Sequence, residues 1–171
     1  MRFALALLSA LALALTGCVT ASHKLPLEQI ADLRVAEVSV SIADGAQVPE
    51  DLRNVVGPKV KAAFERQLAQ RFNGSNPVRV EVTVKRVVIT PAVQRVVLGG
   101  GHSMTADMTM VDLRTKSVLL TYPDKTAQLG SRGGLMEVAL DQAITGGEPI
   151  DFMAQNLAFN FAEWVRPSEP R

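Results

Sequence analysis

Four segments of the chain alternate apolar and polar residues with a period of two, which is typical of strands that bury one face. They cover residues 34–42, 78–89, 103–113 and 118–122. The period of the second segment shifts near Arg86, which predicts either a bulge or a strand that continues with both faces covered. A short polar turn separates the third and fourth segments, so this pair predicts a hairpin. The pattern as a whole therefore predicts a sheet of about four strands.

Two further segments place apolar residues every three or four positions, as a helix with one buried face does. Residues 50–72 form the first segment and residues 149–165 the second. Within the first, Gly57-Pro58 leaves two alternatives: a kinked helix from Glu50, or a helix that begins at Pro58. The expected buried stripes are Val56, Val60, Phe64, Leu68 and Phe72 in the first helix, and Ile150, Met153, Leu157, Phe161 and Trp164 in the second.

The segments between these elements carry weaker signals. Gly74 follows the first helix, and we expect it to supply a left-handed C-cap. Residues 96–98 are interpreted as an extension of the second strand, and residues 123–134 as a loop rich in glycine, proline and charge. Residues 135–144 are bounded by paired glycines and predict a short helix.

The predicted order is β-α-β-β-β-α, with one more α where the short helix is counted. This order is typical of an α+β fold: a two-layer sandwich with a mostly antiparallel sheet of about four strands and two or three helices packed on one face. The first two strands are expected to be parallel neighbours joined by a right-handed crossover. We expect a single domain over residues 34–166 and a disordered tail over residues 167–171.

The N-terminus carries the most specific signal in the chain. Arg2 precedes an apolar run over residues 3–15, which is too short to span a bilayer but has the length of a signal-peptide core. The run ends in a Leu-Thr-Gly-Cys motif, which resembles the lipobox of bacterial lipoproteins. The resemblance implies cleavage between Gly17 and Cys18. It also implies attachment of diacylglycerol and of a further acyl group, such as palmitate, to Cys18.

The lipobox defines how the chain divides. Residues 1–17 are the predicted signal peptide, and residues 18–33 are a lipidated cysteine with a flexible tether, because Pro26 interrupts any regular element. Two or three acyl chains anchor a protein almost permanently, at about 0.8 kcal/mol per buried methylene. Val19 stands where an aspartate often retains such lipoproteins in the inner membrane. The resemblance therefore implies an outer-membrane location that faces the periplasm.

Composition argues against several classes of function. All 17 acidic residues follow Cys18, and of the 18 basic residues only Arg2 precedes it, so the mature chain is formally neutral. A neutral chain without a basic cluster is not typical of proteins that bind nucleic acid. Cys18 is the only cysteine, which excludes a disulfide within the monomer, and two histidines make no metal-ligand cluster. We expect neither a cofactor nor a metal.

A glycine-rich segment is the candidate binding loop, with residues Gly99, Gly100, Gly101, His102 and Ser103. A phosphate cradle is disfavoured, because the glycines lead into a strand and no Lys-Ser or Lys-Thr pair follows. A serine hydrolase would need Ser103, His102 and Asp107 in contact. Neighbouring strand residues point to opposite faces, so we predict no catalytic residues. Nearby, Met104, Met108 and Met110 are interpreted as core, with an adaptable binding face as the alternative.

The glycine run, the strand after it and the turn over residues 112–116 resemble small proteobacterial envelope lipoproteins of unknown function. In these proteins a Gly-Gly-Gly run precedes a strand that ends in aspartate, a Thr-Gly or Thr-Lys turn and a returning strand. Lys116 stands where the relatives often have glycine. The resemblance covers about residues 34–122. It implies an α+β lipoprotein of the envelope and no known catalytic residues.

These signals predict a non-enzymatic lipoprotein that faces the periplasm and serves as a binding or assembly accessory of the outer membrane, with an envelope protein as its partner. One alternative is an auxiliary subunit of an ABC-type transporter that binds a lipid or a small molecule. That function needs an apolar cleft between sheet and helices, larger than packing requires. The other alternative is the serine hydrolase that uses Ser103 and His102.

Overall fold

The computed structural model describes residues 25–130 and 148–166. In chain order, its elements are α1 (Leu27–Ala31), β1 (Leu33–Gln47), α2 (Arg53–Ala69), β2 (Asn76–Val88), α3 (Ala92–Leu98), β3 (His102–Asp112), β4 (Val118–Leu129) and α4 (Pro149–Val165). One turn of 3-10 helix, Glu50–Leu52, leads into α2. The predicted signal peptide and lipobox, the helix predicted at residues 135–144 and the tail at 167–171 lie outside the described residues.

The four strands form one sheet in the order β1-β2-β3-β4. β1 and β2 are parallel, since α2 carries the chain back along the sheet between them, and the other two pairs are antiparallel. The register of β2 shifts between Val84 and Arg86, so the predicted bulge is confirmed. β3 and β4 form the predicted hairpin. The predicted α+β fold is therefore confirmed, including its parallel first pair.

Helices α2 and α4 pack on one face of this sheet, and their contact surfaces are the predicted apolar stripes. The fully or almost fully buried side chains are Val56, Val60, Phe64 and Leu68 on α2, and Met153, Leu157 and Phe161 on α4. The three methionines of β3 are completely buried beneath them, which confirms their interpretation as core. Each buried side chain of this size contributes about 1.5–3 kcal/mol, so this layer is the main source of stability.

The helix α2 settles the alternatives that Pro58 left open. It begins at Arg53 and continues through Pro58, whose side chain is exposed. The predicted C-cap at Gly74 is wrong, because Gly74 has no left-handed φ. A side chain at this position would overlap the backbone of Asp32. Glycine is therefore needed here for the close approach of two backbone segments.

Three predictions at the borders of elements are also wrong. The tether predicted over residues 18–33 does not reach that far, because α1 and the start of β1 occupy its last part and Ile30 is buried. Residues 96–98 belong to α3 and not to the second strand. The loop predicted over residues 123–134 is strand as far as Leu129. Short or irregular elements contain too few periodic positions for their type to be recognised.

The sheet gives the domain two ends. The lower end comprises α1, the first residues of β1 and β2, the turn between β3 and β4, and the C-termini of α2 and α4. The upper end comprises the last residues of β2 and β4, α3, and the first residues of β3. Because β2 has 13 residues, at about 3.3 Å each, the two ends lie about 40 Å apart.

Candidate functional site

The connection between β2 and β3, at the upper end, holds the residues of the predicted binding loop. Pro91 stands at the N-cap of α3, with φ −56° and ψ 144°. The helix it begins has an inverted pattern of exposure. Val93, Val97 and Leu98 are 77%, 72% and 79% exposed, whereas Arg95 is 4% exposed. Helical valines and leucines normally face the core, so these three residues, the α3 surface, present apolar area to the surroundings.

A buried polar cluster holds α3 in this orientation. His102 Nδ1 accepts a hydrogen bond from the Thr90 backbone N–H at 3.2 Å, and His102 Nε2 lies 3.0 Å from Arg95 Nη1. The Thr90 hydroxyl donates to the Gly101 carbonyl oxygen at 2.8 Å. Thr90, Arg95 and His102 are all buried. The cluster therefore ties the residues before and after α3 to the helix itself.

The cluster requires a neutral imidazole at His102. His102 Nδ1 can accept the Thr90 N–H only when it carries no proton, so a neutral ring holds its one proton on Nε2, beside Arg95, and an imidazolium could not accept the Thr90 N–H. Burial lowers the pKa of His102 below its ordinary value of 6.5, and the Arg95 cation lowers this pKa further. Protonation of His102 would therefore oppose the arrangement that positions α3.

The glycines of the predicted loop have backbone roles. Gly99 and Gly100 have φ values of 75° and 102°, a region that favours glycine. At Gly101, a side chain would overlap the carbonyl oxygen of Gly130, at the end of the neighbouring strand. The three glycines thus allow a sharp return from α3 into β3. The binding role predicted for them stays a prediction.

The residues of the hydrolase alternative are not brought together in the described part of the chain. His102 is buried, with Nδ1 bonded to the Thr90 N–H and Nε2 beside Arg95, whereas Ser103 lies on the opposite, polar face of β3. Asp107 accepts a hydrogen bond from the Asp124 backbone N–H at 2.7 Å and contacts Lys85 Nζ at 3.2 Å. This carboxylate thus stabilises the irregular part of β4 and does not orient an imidazole.

At the lower end, Asp112 caps the turn between β3 and β4. Its Oδ1 accepts the backbone N–H groups of Arg114 and Thr115 at 2.7 and 2.9 Å, and its Oδ2 accepts the Asn76 side-chain amide at 3.1 Å. These donors, that of Thr115 first, lower the pKa of Asp112 to about 2. The turn is therefore ordered around a carboxylate that stays charged at neutral pH.

The turn contains a residue in the left-handed conformation. Lys116 has φ 61°, a region in which residues with a Cβ atom are disfavoured. Its side chain is exposed, as is that of Arg114. The turn therefore presents two cations to solvent at the lower end.

Two clefts on the surface are small and are lined by both polar and apolar groups. One, of about 310 Å³, lies on the open face of the sheet and is lined by Gly45, Gln47, Lys85, Arg86, Thr105 and Asp124. The other, of about 270 Å³, lies at the lower end between α1 and the Asp112 turn. Neither cleft lies between sheet and helices, where the transporter alternative needs an apolar one.

Within residues 25–130 and 148–166, no helix is both long enough and apolar enough to cross a bilayer. In the same ranges, no three His, Cys, Asp or Glu side chains converge as metal ligands would. The sequence reasoning missed Arg95 and Thr90 as partners of His102. The signal for them is Pro91, which favours a helix start and is followed by seven residues without glycine.

No family model matches the chain, and no curated protein matches its sequence. A Caulobacter crescentus CB15 protein provisionally described as a lipoprotein has a TM-score of 0.36 and 12% identity, over 78% of this chain and 93% of that chain. PelC from Paraburkholderia phytofirmans, solved as a dodecamer, has a TM-score of 0.44 and 13% identity, over 86% of this chain and 93% of that chain. A Xanthomonas campestris protein of the DUF330 family has a TM-score of 0.42 and 11% identity, over 75% of this chain and 81% of that chain. Similarity at this level assigns neither a family nor a function.

Proposed function

We propose that this chain is a lipid-anchored lipoprotein of the bacterial envelope, without enzymatic activity, that binds a protein partner in the periplasm. The anchor is the acylated Cys18 of the lipobox, and Val19 favours the outer membrane as its location. The single observation that carries the binding role is the α3 surface. Val93, Val97 and Leu98 stay exposed on a helix that a buried polar cluster holds in place.

The chemistry of this surface favours a protein as partner. The exposed residues of α3 are apolar or uncharged, since its one charged residue, Arg95, is buried. Apolar side chains on a positioned helix fit an apolar groove of another protein, where their burial would contribute about 25 cal/mol per Å². The surface also lies at the opposite end of the domain from α1, where the chain arrives from the anchor.

Two measurements test this proposal. The first is the intact mass of protein extracted from membranes, for the wild type and a Cys18→Ala variant, with fractionation of both. We expect a wild-type mass that fits residues 18–171 plus acyl groups, found in the outer-membrane fraction, and release of the variant. An unacylated wild-type product cut elsewhere would contradict the anchor.

The second measurement is site-specific photo-crosslinking in cells. A photoreactive residue replaces Val97 on the α3 surface, and in a matched control it replaces Ser41, an exposed residue on the open face of the sheet. We expect a discrete adduct from position 97 that disappears in a Val93→Asp variant and is absent from position 41. Equal adducts from both positions, or none from position 97, would contradict binding through α3.

A further inference from the structure

We infer that the lower end of the domain rests on the phospholipid headgroups of the leaflet that holds the anchor. This inference rests on the proposed lipid anchor at Cys18 and adds an orientation to it. The lower end is then the membrane-facing surface, and the α3 surface points away from the membrane. Four observations support this assignment.

The first observation is the length of chain between the anchor and the domain. The described domain begins at Leu25, and α1 follows directly. Six residues separate Leu25 from Cys18, and the seven Cα–Cα steps between these two residues span at most about 25 Å. The upper end lies about 40 Å from the lower end. Of the two ends, the lower one is therefore held close to the bilayer surface.

The second observation is exposed apolar area at this end. Leu27 on α1 is 73% exposed, and Val118 at the start of β4 is 60% exposed. Leu25 and Leu119 lie beside them, on the wall of the lower cleft. Branched apolar side chains at a membrane interface gain free energy by burial among the headgroups and upper acyl chains.

The third observation is the sign of the charge at the lower end. Five exposed basic residues lie there: Arg34, Arg66, Arg114, Lys116 and Arg166. The exposed acidic residues are Glu28, Asp32 and Glu65, of which Asp32 accepts hydrogen bonds from Ser75 and Glu65 pairs with Lys61. Within residues 25–130 and 148–166, none of the five basic residues forms an ion pair with a carboxylate. Such cations suit the anionic phosphates of a bilayer surface.

The fourth observation is the backbone of Lys116. Its φ of 61° lies in the left-handed region, which favours glycine. Lysine is sterically disfavoured in this conformation, and its exposed cation lies two residues from the exposed Val118. Long basic side chains next to apolar ones are typical of interfacial surfaces, because their methylene stems lie along apolar area while the charge reaches the headgroups.

The test uses the full, lipidated protein in vesicles. Since Cys18 is the only cysteine and is acylated in the proposal, an introduced cysteine is the single free thiol. An environment-sensitive fluorophore is attached at Leu27→Cys or Val118→Cys for the lower end, at Ser41→Cys for the middle, and at Val97→Cys for the upper end. Vesicles contain phosphatidylethanolamine with either phosphatidylglycerol or phosphatidylcholine, and a spin-labelled lipid quenches fluorophores at the surface.

We expect quenching at positions 27 and 118 to be about threefold or more stronger than at positions 41 and 97, and stronger with phosphatidylglycerol. The double variant Arg114→Gln/Lys116→Gln should lose most of the quenching at position 118. A matched double variant at the upper end, Arg53→Gln/Arg86→Gln, should keep it. Similar quenching at all positions, strongest quenching at position 97, or no response to phosphatidylglycerol would each contradict the inference.

Co-flotation with the vesicles separates this inference from the proposed function. Wild-type protein that floats but shows no preference for the lower end contradicts the orientation and leaves the anchor standing. Wild-type protein that carries no acyl groups and does not float contradicts the proposed function, and the orientation with it.

Discussion

The two ends of this domain are each organised by one buried titratable residue, but the two residues work in opposite ways. At the lower end, Asp112 orders a turn as an anion, because backbone and side-chain N–H groups donate to it. At the upper end, His102 positions α3 as a neutral ring, because its Nδ1 must be unprotonated to accept the Thr90 N–H and the Arg95 cation lies beside its Nε2. Both pKa values are lowered, by hydrogen bonds at Asp112 and by burial at His102.

A lowered pKa therefore has opposite consequences for the two residues, because the folded form is charged at Asp112 and neutral at His102. For Asp112 the lowered pKa stabilises the charged form, so the contribution of this residue is lost only in strong acid. For His102 the lowered pKa means that the charged form is disfavoured in the fold, so mild acid already acts on it. The end proposed to face the membrane is thus the more acid-resistant one.

The largest expected effect concerns the glycines that close the two ends. In Gly101→Ala the new methyl group would overlap the Gly130 carbonyl, and in Gly74→Ala it would overlap the backbone of Asp32. We expect each substitution to lower the free energy of unfolding by about 3 kcal/mol, because backbone and not a flexible side chain must move. Urea denaturation of both variants would measure this.

Gly100→Ala is the matched control for this prediction. Gly100 has φ 102°, but its nearest neighbour to a new methyl group is a Thr90 methyl carbon at 3.8 Å. We expect a loss of about 1 kcal/mol from backbone strain alone. If Gly101→Ala loses no more free energy of unfolding than Gly100→Ala, the backbone at the end of β4 can move readily. That result would contradict a rigid upper end.

The next effect is the response to acid. The unfolded chain binds a proton at His102 near pH 6.5, and the folded chain binds it only at lower pH, so stability should fall as pH drops below about 6.5. Asp112 titrates at about 2 when folded and at 3.8 ordinarily, so its contribution should persist above about pH 4 and disappear between pH 4 and 2. We expect Tm to fall as pH drops through each window.

Two variants test which residue causes the loss of stability in each pH window. His102→Gln should flatten the Tm profile between pH 7 and 5 and leave the acid window in place. Asp112→Asn should remove the acid window and keep the slope between pH 7 and 5. It should also lower Tm at neutral pH, since an amide replaces one acceptor by a donor that faces Asn76. The control Ser103→Ala, on the open face of β3, should keep both windows. A profile of His102→Gln that matches the wild type would contradict the role of this histidine at the upper end.

The fold followed from the sequence because its signals are long and periodic. The buried face of β2 repeats at Val78, Val80, Val82 and Val84, and the stripes of α2 and α4 each run over four turns. Such patterns have a direct physical cause, since every buried position gains free energy from burial on the same face. The parallel first pair followed from the same patterns, because a helix lies between two strands that both need a neighbour.

The candidate site could not be predicted in the same way, since its residues obey no period. α3 is short and exposes its apolar side chains, so its pattern resembles a strand that continues β2. Its partners, Thr90 and His102, come from either side of the helix and meet only because the glycines allow a sharp return. The charge pattern of the lower end likewise joins residues from five segments that only the topology brings together.

The smallest effect is the one that separates stability from the proposed membrane contact. Lys116→Gly relieves the left-handed strain at φ 61°, and we expect a gain of about 0.5–1 kcal/mol in the free energy of unfolding, partly offset by the flexibility of glycine in the unfolded chain. The same variant should reduce quenching at position 118 by headgroup spin labels, because one cation is lost. Lys116→Asn tolerates the same backbone without a charge, so it should show the second effect with less of the first. A Lys116→Gly protein that is more stable and equally well quenched would mean that the lysine has no role at the bilayer. A protein that is more stable but less well quenched would mean that lysine at this position favours contact with lipid at the expense of stability.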